Sequence, residues 1–250
     1  MAFTQKTLTF LRQLARHNDR EWFREHRDDY EAHVRAPMVA LVEQLAADLP
    51  AIAPHLVANP KTSMYRIYRD TRFSPNKAPF KTHVAAIFPH RALPKHEGAG
   101  LYVHVAADQV FVGGGLYRPQ PRQLHRLREH VAAKHERLRA IVAAPVFRRH
   151  FGALSGERLQ RAPRGFPADH PAGDLLRLKQ FLAGCERPPD FATGARFYPS
   201  LLRLFAHLAP LVDFLNAPLT TREFPLEALR RGSDAGRPAR PARLPGGGAG

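Results

Sequence analysis

The chain has 250 residues, of which 44% are hydrophobic and 24% charged, an ordinary composition for a globular protein with its own core. Its 38 lysines and arginines outnumber 22 acidic residues, which gives a formal net charge of +16. This charge attracts polyanions, and it says nothing about the fold. The single cysteine, Cys185, excludes an internal disulfide. Since we find no signal peptide and no apolar run of membrane-spanning length, we expect a cytoplasmic protein without a membrane partner.

Two helices are predicted at the start of the chain. Residues 4–17 carry apolar side chains at helical spacing. Asn18 stands three residues before Glu21, a capping-box pattern that predicts the start of a second helix, whose apolar stripe runs to Leu49. Pro37 is expected to kink this second helix. Further prolines mark its end and an irregular connection: Pro50, Pro54 and Pro60.

The middle of the chain is predicted to form strands. Aromatic and β-favouring residues predict a strand over 63–68, and three short runs follow at 83–88, 100–106 and 109–117. Ala107 and Asp108 fit a tight turn, so the last two runs are predicted to pair as a hairpin. Helices are predicted after the strands, from Pro121 onward, around 174–183 and around 198–216.

Helices first, strands together and helices again are typical of an α+β fold and not of alternating βα units. We therefore predict a small, mostly antiparallel sheet packed against flanking N-terminal and C-terminal helices. Residues 1–229 are predicted to form a single domain. Residues 230–250 hold five arginines and one acid among Gly, Pro and Ala, a composition that predicts a disordered basic tail.

The densest charge lies in residues 66–81, which we name the basic segment. It contains three arginines and two lysines but a single acid, Asp70. Turn-forming residues and two prolines stiffen it, which lowers the entropy lost on binding. Arginine forks match phosphate or carboxylate oxygens two at a time, and lysines add point charges. We therefore predict a site for a phosphate- or carboxylate-bearing ligand, formed by Arg66, Arg69, Asp70, Arg72, Asn76, Lys77 and Lys81.

In this hypothesis the arginines clamp the anion, the lysines neutralise it and Asp70 orients one guanidinium. Two other interpretations stay open. The segment could be architectural, with Asp70 pairing its arginine neighbours to hold a long loop against the sheet. It could also belong to a nucleic-acid-binding module together with the tail and a basic stripe on the helix after Pro121. That stripe consists of Arg122, Arg126, His130, Lys134 and Arg137.

The basic segment resembles the motif R-x-x-R-D-x-R-F-x-x-[DN]-K-x-x-Y of a family of conserved hypothetical bacterial proteins, domain of unknown function 2461. The matching residues are Arg66, Arg69, Asp70, Arg72, Phe73, Asn76 and Lys77. The resemblance extends over roughly residues 3–220, and it implies no particular activity, oligomeric state or enzyme class. One position departs from the motif, because its final tyrosine is Phe80 here. A mechanism that depends on a phenol at this position is therefore excluded.

Histidines and glycines supply further candidates. His83, at the end of the motif, is a candidate acid or base, as is Asp70. His83 and His104 lie on predicted neighbouring strands, but the chain shows no metal-site spacing, so we predict no metal or cofactor. The glycines at 113–115 lack the Gly-Lys-Ser/Thr of a phosphate loop, and they favour a bulge or a close backbone approach.

Overall fold

The computed structural model describes residues 3–220, so the predicted tail at 230–250 lies outside the described part of the chain. The helices before the sheet are α1 (Gln5–Arg16), α2 (Arg20–Glu25), α3 (Arg27–Tyr30), α4 (Ala36–Ile52) and α5 (Pro60–Ser63). A π-helical turn, Glu31–Arg35, joins α3 to α4. The strands are β1 (His83–Phe88), β2 (Gly100–Ala106), β3 (Val110–Leu116) and β4 (Phe181–Arg187). The remaining helices are α6 (Pro121–Ala143), α7 (Pro145–Phe151), α8 (Gly173–Leu176), α9 (Asp190–Thr193) and α10 (Phe197–Thr220).

The strands form one antiparallel sheet in the order β1-β2-β3-β4. Helices from both ends of the chain flank this sheet, which confirms the predicted α+β fold. The β2–β3 hairpin is confirmed as well. Its turn closes where the Ala106 N–H donates to the Gln109 carbonyl at 2.8 Å, around Ala107 and Asp108.

The sheet has two chemically different faces, because successive side chains in a strand point to opposite sides. The inner face is buried and packs on α10, as shown by the edge-to-face contact between Phe88 and Phe205 at 5.5 Å. The outer face is only partly buried and carries polar and aromatic side chains: His83, Tyr102, His104 and Phe111. The polar and ionisable side chains of the sheet are therefore concentrated on its outer face.

Glycines shape the middle of the sheet, as the sequence predicted. A Cβ on Gly113 or Gly184 would lie 2.7 or 2.4 Å from the ring of Phe111, so the two glycines make room for this ring across the outer face. Gly115 has φ +134°, and a Cβ there would lie 2.0 Å from the carbonyl oxygen of Phe181. The close backbone approach expected at 113–115 is therefore confirmed.

The predicted second helix is divided into α2, α3, the π-helical turn and α4, and α4 continues past Pro50 to Ile52. Two further element predictions are wrong. Residues 174–183 do not form one helix, because α8 ends at Leu176 and β4 begins at Phe181. Apolar runs this short fit a helix or a strand equally well, and pairing with β3 decides for the strand. Residues 63–68 do not form a strand, and only isolated bridges join Met64 and Tyr68 to the chain around β1.

A proline prevents the bridge at Tyr68 from extending toward the loop. The Arg69 N–H donates to the Pro79 carbonyl at 2.8 Å, and proline has no N–H to complete the pair. Pro37 likewise lacks an N–H, and the regular α-helical hydrogen-bond pattern is interrupted before it. The predicted kink there is a π-helical turn, in which the Ala36 N–H donates to the Glu31 carbonyl, and the turn ends just before the proline.

The predicted capping role of Asn18 is also wrong. The N-cap of α2 is Asp19, whose Oδ1 accepts hydrogen bonds from the N–H groups of Glu21 and Trp22 at 3.0 and 2.9 Å. Asn18 instead binds the backbone of Phe80, 62 residues away: its amide donates to the carbonyl and accepts from the N–H, both at 3.0 Å. This pair ties the end of the basic segment to the helical layer.

Candidate functional site

The loop after Arg69 is held by its own side chains. The guanidinium of Arg69 donates to the Ala78 carbonyl at 3.2 Å, and the ammonium of Lys77 donates to the Thr71 carbonyl at 3.1 Å. The side chain of Asn76 accepts from the N–H of Ala78 at 2.9 Å. Three residues of the predicted anion site therefore direct hydrogen bonds into the loop that carries them.

Asp70 and Arg72 form a bidentate ion pair on the exposed surface of this loop. The guanidinium of Arg72 donates to both carboxylate oxygens, at 3.0 and 2.8 Å. These hydrogen bonds lower the pKa of Asp70 to about 2. A carboxylate with such a pKa is a poor proton acceptor at neutral pH, which argues against Asp70 as a general base. The neighbouring Phe73 is 92% exposed.

The other two predicted cations, Arg66 and Lys81, lie beside Tyr65. Lys81 donates to the Arg66 carbonyl at 2.7 Å, and its Nζ lies 5.3 Å from the centre of the Tyr65 ring. A second lysine, Lys95, approaches the same ring at 4.6 Å and donates to the Met64 carbonyl at 3.3 Å. We refer to Arg66, Lys81 and Lys95 as the lysine cluster.

Lys95 was not predicted as a site residue. It lies in the β1–β2 connection, with no motif around it, and only the folding of this connection over the sheet brings it to Tyr65. A lone lysine in a loop carries no sequence signal that separates it from a solvated surface charge. Its position became visible only from the tertiary structure.

The lysine cluster has an unbalanced charge. Burial and the charge of Arg66 lower the pKa of Lys81, while burial and the charge of Lys81 lower the pKa of Lys95. Within residues 3–220, no carboxylate lies at ion-pair distance from any of the three cations. For both lysines, burial and then a neighbouring cation disfavour the charged form.

Two histidines of the outer face adjoin this cluster. The rings of His83 and His104 lie 4.9 Å apart, which confirms that the two strands bring them together. Burial and the charge of Lys81 lower the pKa of His83, and burial lowers the pKa of His104 to about 4. The hydroxyl of Tyr102 lies 3.2 Å from Nδ1 of His104. These lowered pKa values favour the neutral imidazole of both histidines at pH 7.

The histidines make no metal site with other ligands. Across residues 3–220, no group of three or more His, Cys, Asp or Glu side chains could hold a metal ion. Hydrogen bonds and ion pairs in this range also do not join Asp70 to either outer-face histidine. The two candidate acid–base groups of the sequence prediction are thus not linked directly.

The basic stripe on α6 is interrupted. Lys134 has non-helical backbone angles, φ −132° and ψ 28°, at a kink in the helix. The ring of His130 packs against Phe214 at 4.6 Å, and burial lowers its pKa. The five basic residues therefore do not form one straight exposed row along which a phosphate backbone could lie.

A comparison with protein families shows the family to which the chain belongs. The conserved hypothetical protein family DUF2461 matches residues 6–214. The chain belongs to this family. Comparison with curated proteins found no match.

In this DUF2461 protein, the motif residues divide into two groups. Arg69, Asn76 and Lys77 stabilise the loop, and Asp70 pairs with Arg72. The backbone carbonyl of Arg66, by contrast, accepts from Lys81, which approaches the Tyr65 ring together with Lys95, and the charge of Arg66 helps to lower the pKa of Lys81. None of the helices within residues 3–220 combines the length and apolar character needed to cross a membrane.

Proposed function

We propose that this DUF2461 protein binds a phosphate- or carboxylate-bearing ligand at the lysine cluster. The observation that carries the proposal is the unbalanced charge around Tyr65, where two ammonium groups approach one ring without a carboxylate partner in residues 3–220. Holding like charges together costs free energy, and an anion bound between them removes that cost. The anion site of the sequence prediction is thereby narrowed to Arg66 and Lys81, and Lys95 is added to it.

The loop after Arg69 has a supporting role in this proposal. Arg69 and Lys77 donate to carbonyl oxygens of the loop itself, and Arg72 donates to Asp70. Lys81 and Lys95 each donate one hydrogen bond to the segment before the loop, and in addition both approach the same tyrosine ring. The loop is anchored next to the cluster, because Lys81 N–H donates to the Ile67 carbonyl at 2.8 Å. We infer that the architectural interpretation describes this loop, while the anion-binding interpretation describes the cluster.

The cluster also suits phosphoryl or ester transfer. Fixed cations stabilise negative charge that develops on oxygen during such reactions. His83 supplies a neutral imidazole beside Lys81, since the charge of that lysine contributes to its lowered pKa. This geometry makes His83, and not Asp70, the candidate acid–base residue of the proposed site.

The proposal predicts that Lys81→Met and Lys95→Met each weaken anion binding by about tenfold or more, because each removes a charge-assisted contact worth about 1.5–3 kcal/mol. Isothermal titration calorimetry with inorganic phosphate and citrate measures the effect. Lys77→Met is the matched control, since its ammonium donates to the Thr71 carbonyl within its own loop. The proposal is wrong if neither anion binds, or if the control weakens binding as much as the two cluster variants.

A further inference from the structure

A cavity of about 270 Å³ lies between the α3–π-turn region and the segment after α5. Lys81 and Lys95 do not line it, but the cavity shares Arg66 with the lysine cluster, and its lining includes Met64 and Tyr65, which contact those lysines. The full lining consists of Phe23, Arg27, Tyr30, Glu31, Arg35, Pro60, Lys61, Met64, Tyr65, Arg66, Ile67 and Tyr68. Neither the sequence motif nor the family assigns a role to this cavity.

Aromatic rings form one part of the lining. Phe23 and Tyr30 are buried, with ring centres 5.2 Å apart. Tyr68 meets the edge of Phe23 at 6.3 Å, yet its side chain remains 59% exposed. A large ring held against buried rings, but itself uncovered, offers a surface on which a planar ligand can stack.

Cationic side chains form the other part. Four cations line the cavity, Arg27, Arg35, Lys61 and Arg66, against one acid, so the lining carries a net charge of +3. That acid, Glu31, is already paired with Arg35 at 3.1 Å. The other three cations have no carboxylate at ion-pair distance within the described range 3–220.

We infer that this cavity binds a small ligand that combines a planar aromatic ring with a phosphate group, as a nucleoside monophosphate does. The ring stacks on Tyr68, and the phosphate is held by Arg27, Lys61 and Arg66. Arginine forks match phosphate oxygens two at a time, and aromatic side chains accept the face of any base. The volume of about 270 Å³ lies just below the range of about 300–1,000 Å³ typical of small-molecule pockets, so a mononucleotide suits the cavity better than a longer nucleic acid.

The test is titration calorimetry of the full chain with AMP and UMP, compared with adenosine and ribose 5-phosphate. We expect each nucleotide to bind at least tenfold tighter than either fragment, because ring and phosphate are both recognised. Tyr68→Leu should weaken AMP binding about fivefold or more, whereas Tyr68→Phe should keep it, since stacking needs the ring and not the hydroxyl. Arg27→Gln should weaken AMP binding tenfold and leave adenosine binding unchanged.

Two cross-controls separate this cavity from the lysine cluster. Lys95→Met should reduce the affinity for inorganic phosphate and leave the preference for AMP over ribose 5-phosphate unchanged, and Arg27→Gln should keep the cluster's affinity for inorganic phosphate. The inference is overturned if ribose 5-phosphate binds as tightly as AMP, if Tyr68→Leu has no effect, or if Lys95→Met removes the preference for AMP over ribose 5-phosphate. Because Tyr68 and Arg27 are exposed, the variants should fold, and circular dichroism checks this.

Discussion

At the scale of single residues, the motif contains two phenylalanines with opposite environments. Phe80 is 2% exposed, and its ring stacks on Phe23 at 4.2 Å, while Asn18 binds its backbone. Phe73 is 92% exposed at the tip of the loop. The stacked, buried position explains why an aromatic ring suits position 80. It also supports the interpretation that the ring, more than a hydroxyl, matters there.

The two phenylalanines should therefore respond differently to truncation. Phe80→Ala removes a buried ring and should lower the free energy of unfolding by about 3–5 kcal/mol. Phe73→Ala, the matched control, should change this free energy by no more than about 0.5 kcal/mol. The ring of Phe73 is already exposed to solvent in the folded protein, so it contributes little to stability. Urea denaturation followed by circular dichroism measures both values. Equal losses would contradict the environments described here.

At the scale of secondary-structure elements, the junction of β3 and β4 depends on glycine. Gly115 has a positive φ, and a Cβ added there would overlap the carbonyl oxygen of Phe181 on the neighbouring strand. A side chain there meets two obstacles, an unfavourable backbone conformation and a fixed backbone atom. By contrast, Gly152 has φ +70° with no atom within 4 Å of an added Cβ.

These two glycines give a matched pair of variants. Gly115→Ala should destabilise the protein by at least about 3 kcal/mol, because backbone strain and overpacking add, each worth about 1–3 kcal/mol. Gly152→Ala meets only the backbone strain of a positive φ, without a steric overlap, and its loss should stay near the lower end of about 1–3 kcal/mol. Thermal unfolding by differential scanning calorimetry distinguishes the two. A Gly115→Ala variant as stable as Gly152→Ala would show that β4 can move away from β3.

At the scale of the whole molecule, burial of neutral histidines links stability to pH. Burial is the largest cause of a lowered pKa for five histidines within residues 3–220: His83, His90, His104, His130 and His150. Below pH 6.5 the unfolded chain takes up protons at these positions that the folded protein does not bind. Protons therefore favour unfolding across this range.

The midpoint of thermal unfolding should accordingly be highest near neutral pH and fall as the pH drops from 6.5 to about 4, the pKa of His104. His104→Gln, which keeps a polar group near the hydroxyl of Tyr102, should make this fall shallower. Calorimetric scans at several pH values between 7.5 and 4 measure both curves. Parallel curves for the two proteins would mean that His104 does not contribute to the acid sensitivity.

Much of the architecture was readable from the sequence, because it depends on local signals. Helical spacing of leucines predicted α1, and the buried positions Leu8, Leu11 and Leu14 lie on its inner stripe. Turn chemistry at Ala107 and Asp108 predicted the β2–β3 hairpin. The helix predicted over 174–183 lacks such a signal and is wrong beyond Leu176, since a short apolar run fits a helix or a strand until a neighbouring strand pairs with it.

In the candidate site, too, some features follow from the sequence and others only from the tertiary structure. The sequence alone determined the α+β class and the concentration of charge in residues 66–81. Only the tertiary structure decided which of these charges are engaged and which are unbalanced, because a side chain's partners depend on folding. Arg69 and Lys77 found carbonyl oxygens within their loop, whereas Lys95, from a distant connection, met Lys81 at one tyrosine ring. Charge density is a property of the chain, but charge balance is a property of the fold.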